Sequence, residues 1–146
     1  MECRMCGNGE LDVFLSLGKT GLANNLLSQE DLKKQEETFP LDVAFCSKCK
    51  LAQLTHVVPP EKMFRNYLYV SSTTQTFRDH FAALAEDITK PFKLGKQSLA
   101  VDVGSNDGLL LKGFKDKGVR VVGVEPADNL AALAHKEGIP TINAFF

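Results

Sequence analysis

Four cysteines stand in two pairs of equal spacing, Cys3-x-x-Cys6 and Cys46-x-x-Cys49, and the chain holds no fifth. Two intervening residues let both sulfurs of a pair face one point while the backbone turns around it. Two such knuckles supply four thiolates, the closed tetrahedral shell of a structural zinc site. Residues 7–45 separate the knuckles, a longer gap than the usual ribbon spacing. An inserted loop of that size adds little closure entropy. A redox CxxC and two pairs of buried free thiols are the other readings of the same residues. A catalytic zinc is disfavoured, because such sites keep three protein ligands and an open position. Residues 1–58 are too few to build a thick core, and a metal would supply what packing cannot.

The chain has 146 residues, enough for one ordinary domain or two small ones. Its 17 Lys and Arg nearly balance 18 Asp and Glu, for a net charge of −1. That balance gives no electrostatic case for a nucleic acid or an anionic membrane as partner. Lys33-Lys34 and Lys48/Lys50 read as solvated surface. Met1-Glu2-Cys3-Arg4 lacks the apolar region of a signal peptide, and no apolar run approaches the roughly 20 residues of a membrane span. A cytoplasmic setting is expected, where thiols stay reduced and paired cysteines more often hold metal.

Three stretches differ in character: a zinc-binding module at 1–58, a helical connector at 59–98 and an alternation of strands and helices at 99–146. In the first, Leu11–Leu15 reads as a strand. Ser28 with Asp31 three residues on fits a cap that opens a short polar helix through Glu37. Phe39, Leu41, Val43 and Phe45 alternate as in a half-buried strand. Leu51–Val58 is its expected antiparallel partner. In the connector, Thr73–Lys90 is the clearest helix, with Phe77, Phe81, Leu84 and Ile88 on one face and Ser71, Ser72 and Thr73 as candidate caps. The last stretch reads as strand Leu99–Val103, helix Leu109–Lys117 closed by Gly118, strand Val119–Val124, helix Asp128–Lys136 with Asp128 as N-cap, and strand Ile139–Ile142. This β-α-β-α-β order predicts an α/β fold with a parallel sheet and right-handed crossovers.

Asp102-Val103-Gly104-Ser105-Asn106-Asp107-Gly108 ends one of those strands and opens a helix. A dinucleotide fingerprint needs Gly-x-Gly-x-x-Gly. Asn106 and Leu109 replace two of its glycines, and Gly104 and Gly108 instead fit the G-x-G-x-G loop of methyltransferases. Glu125 follows about 20 residues later at the end of the next strand, where an acid accepts from the ribose hydroxyls of a nucleoside. A simple turn acid at Glu125-Pro126 is the bland alternative. Asp102 orients the loop backbone on this reading, and Asp107 either caps the helix or contacts the ligand's amino group.

These residues resemble the zinc-containing sugar C-methyltransferases that act on nucleotide-linked 4-keto-deoxysugars. The resemblance rests on Cys3-Arg4-x-Cys6-Gly7, Leu17-Gly18 with Ala23-Asn24, Phe39-Pro40-Leu41-Asp42-Val43, the Cys46/Cys49 knuckle, Tyr67-x-Tyr69-x-Ser71-Ser72 and His80. It continues through the Asn-Asp-Gly loop, Glu125-Pro126-Ala127 and Gly138-Ile139-x-Thr141 to Phe145-Phe146. It implies an N-terminal zinc-ribbon-like module, a helical connector and the first half of a Rossmann-like class I methyltransferase domain. It also implies S-adenosylmethionine as cofactor, structural Zn²⁺ on Cys3, Cys6, Cys46 and Cys49, and a nucleotide-sugar substrate methylated on carbon through an enolate. The implied cofactor contacts are Tyr69, Ser72, Asp102, Gly104, Ser105, Asn106, Asp107, Gly108, Glu125 and Pro126. For Tyr67, Tyr69, Ser71 and Ser72 a packing and capping role stays open beside ligand contact, with the resemblance favouring contact at Tyr69 and Ser72.

The family's chain runs well beyond this one, and its acid–base residues lie in that further part, so no catalytic residue carries over. His135 is expected on the surface and His56 in a structural role, while His80 borders the apolar stripe of its helix. Half a sheet would leave an apolar edge unpaired, and self-association through that edge is an expected consequence. The chain by itself is expected to be catalytically silent. Two other readings remain open: a methyltransferase with a different small-molecule or protein acceptor, and a non-catalytic zinc-ribbon binding module.

Overall fold

The computed structural model describes residues 1–146, which divide into two compact units, Met1–Met63 and Phe64–Phe146. Together they make a mixed α/β fold with one antiparallel sheet in the first unit and one parallel sheet in the second. No helix is long and apolar enough to cross a membrane.

The first unit is an antiparallel sheet in the order β1 (Leu11–Thr20), β2 (Phe39–Cys46) and β3 (Ala52–Leu54). Strand β1 runs five residues past its expected end, because Leu15 and Ser16 go on pairing with Val43 and Asp42, and Lys19 and Thr20 with Pro40 and Phe39. Register shifts after Val13 and after Ser16 bend it. β3 is shorter than the expected Leu51–Val58, since its ladder ends at Val43 with Leu54. Ser28 and Asp31 do form the reciprocal cap: the Asp31 N–H donates to Ser28 Oγ at 3.2 Å and the Ser28 N–H to Asp31 Oδ2 at 3.2 Å. Only a single 3-10 turn, Asp31–Lys33, follows. Its residues are half-buried at best, so no packing extends the helix toward Glu37.

A short helix, α1 (Pro60–Phe64), leads into the second unit. There α2 (Gln75–Thr89), α3 (Leu109–Asp116) and α4 (Asp128–Lys136) accompany a parallel sheet in the order β4 (Leu99–Val103), β5 (Arg120–Val124) and β6 (Thr141–Ile142). β6 keeps only the last two residues of its expected span, because Ile139 is buried beside Leu111 and Ala134. Ala100 and Val121, paired across β4 and β5, face the apolar side chains of the helices. The opposite face of β4 is bare: Leu99, Val101 and Val103 are each more than half exposed, and the strand has a neighbour on one side only.

Two local expectations are corrected. Thr74, not Ser71, Ser72 or Thr73, caps α2, its Oγ1 accepting from the Phe77 N–H at 3.3 Å. Asp128 is the first helical residue of α4, and Ala127 holds the cap position without a side-chain bond.

The buried line of α2 runs through Ala85 and Thr89, and Phe77 is largely exposed. The reason is Gly113. A methyl there would lie 2.8 Å from Ala85 Cβ and 3.4 Å from the Phe81 carbonyl oxygen, so α2 and α3 cross where neither carries bulk. Gly113→Ala would gain up to about 1 kcal/mol of helix propensity. Ala85 cannot swing away, and overpacking costs about 1–3 kcal/mol. We expect a net loss of stability, read as a lower urea midpoint, and partial recovery in the double variant with Ala85→Gly.

Candidate functional site

The two knuckles of the first unit have matching backbones. The Gly7 N–H donates to the Cys3 carbonyl and the Lys50 N–H to the Cys46 carbonyl, each at 2.9 Å. Gly7 and Lys50 both lie in the left-handed region, at φ 70° and 67°. This turn points each pair of sulfurs inward. All four Sγ atoms lie within 4.8 Å of one another, with Cys3–Cys49 at 3.4 Å and Cys6–Cys46 at 3.7 Å. A zinc ion with sulfurs at about 2.3 Å requires tetrahedral edges of about 3.8 Å, so the cluster fits the ion. It does not fit a disulfide, whose sulfurs sit about 2.05 Å apart, and all four cysteines are free.

Backbone amides tune the sulfurs. The Cys6 N–H beside Cys3 lowers its thiol pKa, and the Cys49 N–H beside Cys46 brings that thiol down to about 6. The Leu51 N–H lowers Cys49, but burial and the three neighbouring sulfurs outweigh it and push that thiol up to about 12. Four thiols this close cannot all ionise without a cation, and zinc is the cation that suits them.

Gln53, nearly fully buried, ties the first knuckle to β3. Its Oε1 accepts from the Arg4 N–H at 3.0 Å and its Nε2 donates to the Glu2 carbonyl at 3.2 Å. Sequence reasoning missed Gln53, since a glutamine in a short strand carries no metal signal. His56 stacks on Phe39 at 5.6 Å, in keeping with a structural role.

In the second unit the glycine loop lies at the carboxyl ends of β4 and β5. Gly104 and Gly108 are at φ 76° and 80°, and a Cβ on Gly104 would meet nothing within 4 Å. Ser71, Phe81, Asp102, Gly104, Ser105 and Asn106 help line a cavity of about 170 Å³ there. Cofactor sites usually enclose about 300–1,000 Å³, so this cavity alone is too small to enclose a cofactor. A larger groove of about 460 Å³ runs past Arg78, Asp107, Lys112, Leu133 and Lys136. Its Lys112 is spent on Glu137 at 2.5 Å, and Arg78 donates to the Ser72 carbonyl and to Gln75. The loop borders both spaces, Asp102 and Gly104 lining the smaller cavity and Asp107 and Gly108 the larger groove, and we assign the candidate ligand site to the loop.

Glu125 is only 5% exposed, and both its oxygens are engaged: Oε2 accepts from the Asn106 N–H and Oε1 from the Ala127 N–H, each at 2.8 Å. A carboxylate oxygen has a second lone pair, so bracing the loop does not exhaust the acceptor capacity of this acid. Asp102 lies close by. Burial, then the Glu125 charge, hold its carboxyl above the ordinary aspartate range. Asp107 is buried; its Oδ2 accepts from the Ser72 N–H at 3.2 Å and its Oδ1 has no partner. The buried Ser105 Oγ is also unpartnered. Three acids and two unspent polar atoms suit a ligand that brings positive charge and hydrogen-bond donors.

The half-buried Asn106 side chain is bonded to the Tyr69 carbonyl and to the Ser71 and Asp107 N–H groups. Tyr69 and Ser72 lie on that same tethered segment, and Tyr69 is partly exposed. The Pro126 carbonyl accepts from Arg65 at 3.4 Å. His80 is exposed and edge-on to Phe81; His135 is exposed, its Nε2 2.9 Å from the Thr141 carbonyl. None of the three histidines reaches the loop cavity.

A four-cysteine cluster that fits a metal, and a parallel sheet with a glycine loop and a buried acid, are what a zinc-ribbon-like module and half of a Rossmann-like domain provide. Residues 3–64 match the family model described as "Putative zinc binding domain". The chain is 44% identical over 145 residues to the C-methyltransferase NovU of Streptomyces niveus, an alignment that covers 99% of this chain and 34% of that protein. The chain spans about a third of the length of the curated relative it matches.

Two outcomes are expected. The purified chain should carry one Zn²⁺, measured by elemental analysis, and Cys46→Ser should lose it; chelation should unfold the first unit, because metal binding there is folding energy. For Asp102, a folded-state pKa raised above the ordinary 3.8 means stability present below that value and lost as pH rises through the raised one. Asp102→Asn should therefore raise the melting temperature at pH 7 and leave it unchanged below about pH 3.

Proposed function

We propose that this chain is the zinc-bearing and cofactor-cradling part of an S-adenosylmethionine-dependent C-methyltransferase acting on a nucleotide-linked keto-deoxysugar. The observation that carries the reading is the 44% identity with a C-methyltransferase across nearly the whole chain. The cofactor would supply an electrophilic methyl group on a sulfonium. Gly104 leaves room for it beside the backbone, and Glu125 offers lone pairs to its ribose hydroxyls. Asp102 and Asp107 supply negative charge nearby, and Asp107 Oδ1 remains open to an ammonium donor. The zinc is structural on this reading, because four thiolates leave no open coordination position. A cytoplasmic setting accords with four thiols that stay unpaired. The bare edge of β4 supports self-association of the chain.

Titration calorimetry with S-adenosylhomocysteine tests the cofactor reading. Binding by the 146-residue chain is expected, and Gly104→Val, which fills the open space, should weaken it by about tenfold or more, or 1.4 kcal/mol. No heat with the unaltered chain at millimolar ligand would overturn the reading. Methyl transfer to a nucleotide keto-sugar by the chain alone is expected to be absent.

A further inference from the structure

The stretch Tyr67–Ser72 belongs to no strand or helix until the 3-10 turn Ser71–Thr73, yet side chains hold backbone groups of Tyr67, Tyr69, Ser71 and Ser72. Asn129, on the first turn of α4, forms a closed pair with one residue: its Oδ1 accepts from the Tyr67 N–H at 3.1 Å and its Nδ2 donates to the Tyr67 carbonyl at 2.8 Å. Asn106 does the same two residues further on. Its Nδ2 donates to the Tyr69 carbonyl at 3.0 Å and its Oδ1 accepts from the Ser71 N–H at 3.0 Å. Asp107 takes the next amide, that of Ser72. The Arg65 carbonyl accepts from the Asp128 N–H at 3.0 Å, and the Arg65 guanidinium lies 3.6 Å from the Asp128 carboxylate. Two primary amides thus do for this segment what a neighbouring strand does in a sheet.

Asn106 sits at φ 53°, a conformation that asparagine tolerates and most residues do not. Its own N–H goes to Glu125. One residue therefore joins the acid, the glycine loop and the tethered segment.

We propose that Asn106 and Asn129 are positioning residues that fix Tyr67–Ser72 as a ready-made wall of the cofactor site, rather than ligands of the cofactor themselves. This rests on the cofactor reading above. The physical advantage is preorganisation. A segment already ordered by four side-chain hydrogen bonds loses little entropy when a ligand arrives, and ordering it at binding would weaken affinity. Each such bond contributes about 0.5–1.5 kcal/mol net.

The test uses the full chain with Asn106→Gly and Asn129→Ala. Glycine keeps the left-handed backbone and removes only the amide. Amide hydrogen exchange by NMR should show Ser71 opening about tenfold faster in Asn106→Gly, and the Tyr67 amide likewise in Asn129→Ala, with the β4 and β5 amides unchanged. S-adenosylhomocysteine affinity should fall by about tenfold in each, without a matching fall in the global unfolding midpoint. A purely structural role would move the midpoint and the sheet amides together with the affinity. Unchanged Ser71 exchange in Asn106→Gly overturns the inference, as does lowered affinity only in step with lowered stability. Absence of ligand binding by the unaltered chain overturns the cofactor reading instead, and with it the purpose assigned to the wall, while the exchange rates still decide whether the amides hold it.

Discussion

Glu125 accepts one backbone N–H from the loop that follows β4 and another from the turn that follows β5. Adjacent parallel strands end at the same edge of a sheet, and their turns would otherwise splay into solvent. A buried carboxylate that receives two charge-assisted bonds holds the two turns at a fixed separation. Much of the second unit's working edge follows from that brace. Asn106 is held in its left-handed conformation, its amide is aimed at Tyr69 and Ser71, and Asp107 is left facing Ser72. The arrangement has an electrostatic consequence at Asp102, whose carboxyl is disfavoured in its ionised form by burial and by the charge next to it.

The first unit solves a different problem. Its sheet is small and its apolar residues are widely exposed: Val13, Phe14, Leu15 and Leu17 of β1 all face solvent. The buried centre consists of Cys3, Ala44 and Cys46 with Gln53. A core that thin gains little from the hydrophobic effect. The sulfur quartet takes its place, with Gln53 fastening the N-terminal knuckle to β3 so that sulfurs from distant parts of the chain arrive together. The long excursion between the knuckles holds β1, the stretch 21–38 with its single 3-10 turn, and most of β2.

Much of this was legible beforehand, for identifiable reasons. The two CxxC pairs specified a common metal point because their spacing fixes a local turn whatever surrounds it. Strand Leu99–Val103, the loop and the next helix announced themselves because Gly104 and Gly108 mark backbone that must turn left-handed. Element ends were read less well. β1 extends and β3 shortens according to which partner residues exist to pair with, and the polar stretch after Asp31 stops at one turn because nothing packs on it. The centre of α2 was placed on its phenylalanines, yet the tightest contact is between Ala85 and Gly113, two residues that hydropathy scarcely notices.

The amino-acid sequence alone determined the metal set, the β-α-β-α-β order and the position of the glycine loop and its acid, because each depends on spacing along the chain. The tertiary structure decided what the polar side chains of that site do. Asn106 and Asn129 tether the Tyr67–Ser72 backbone, and Glu125 braces two turns. The physical reason is that a hydrogen-bond partner is chosen in space. Residues some 35 and 62 positions apart meet here, and no periodicity or local motif records which amide will face which carbonyl.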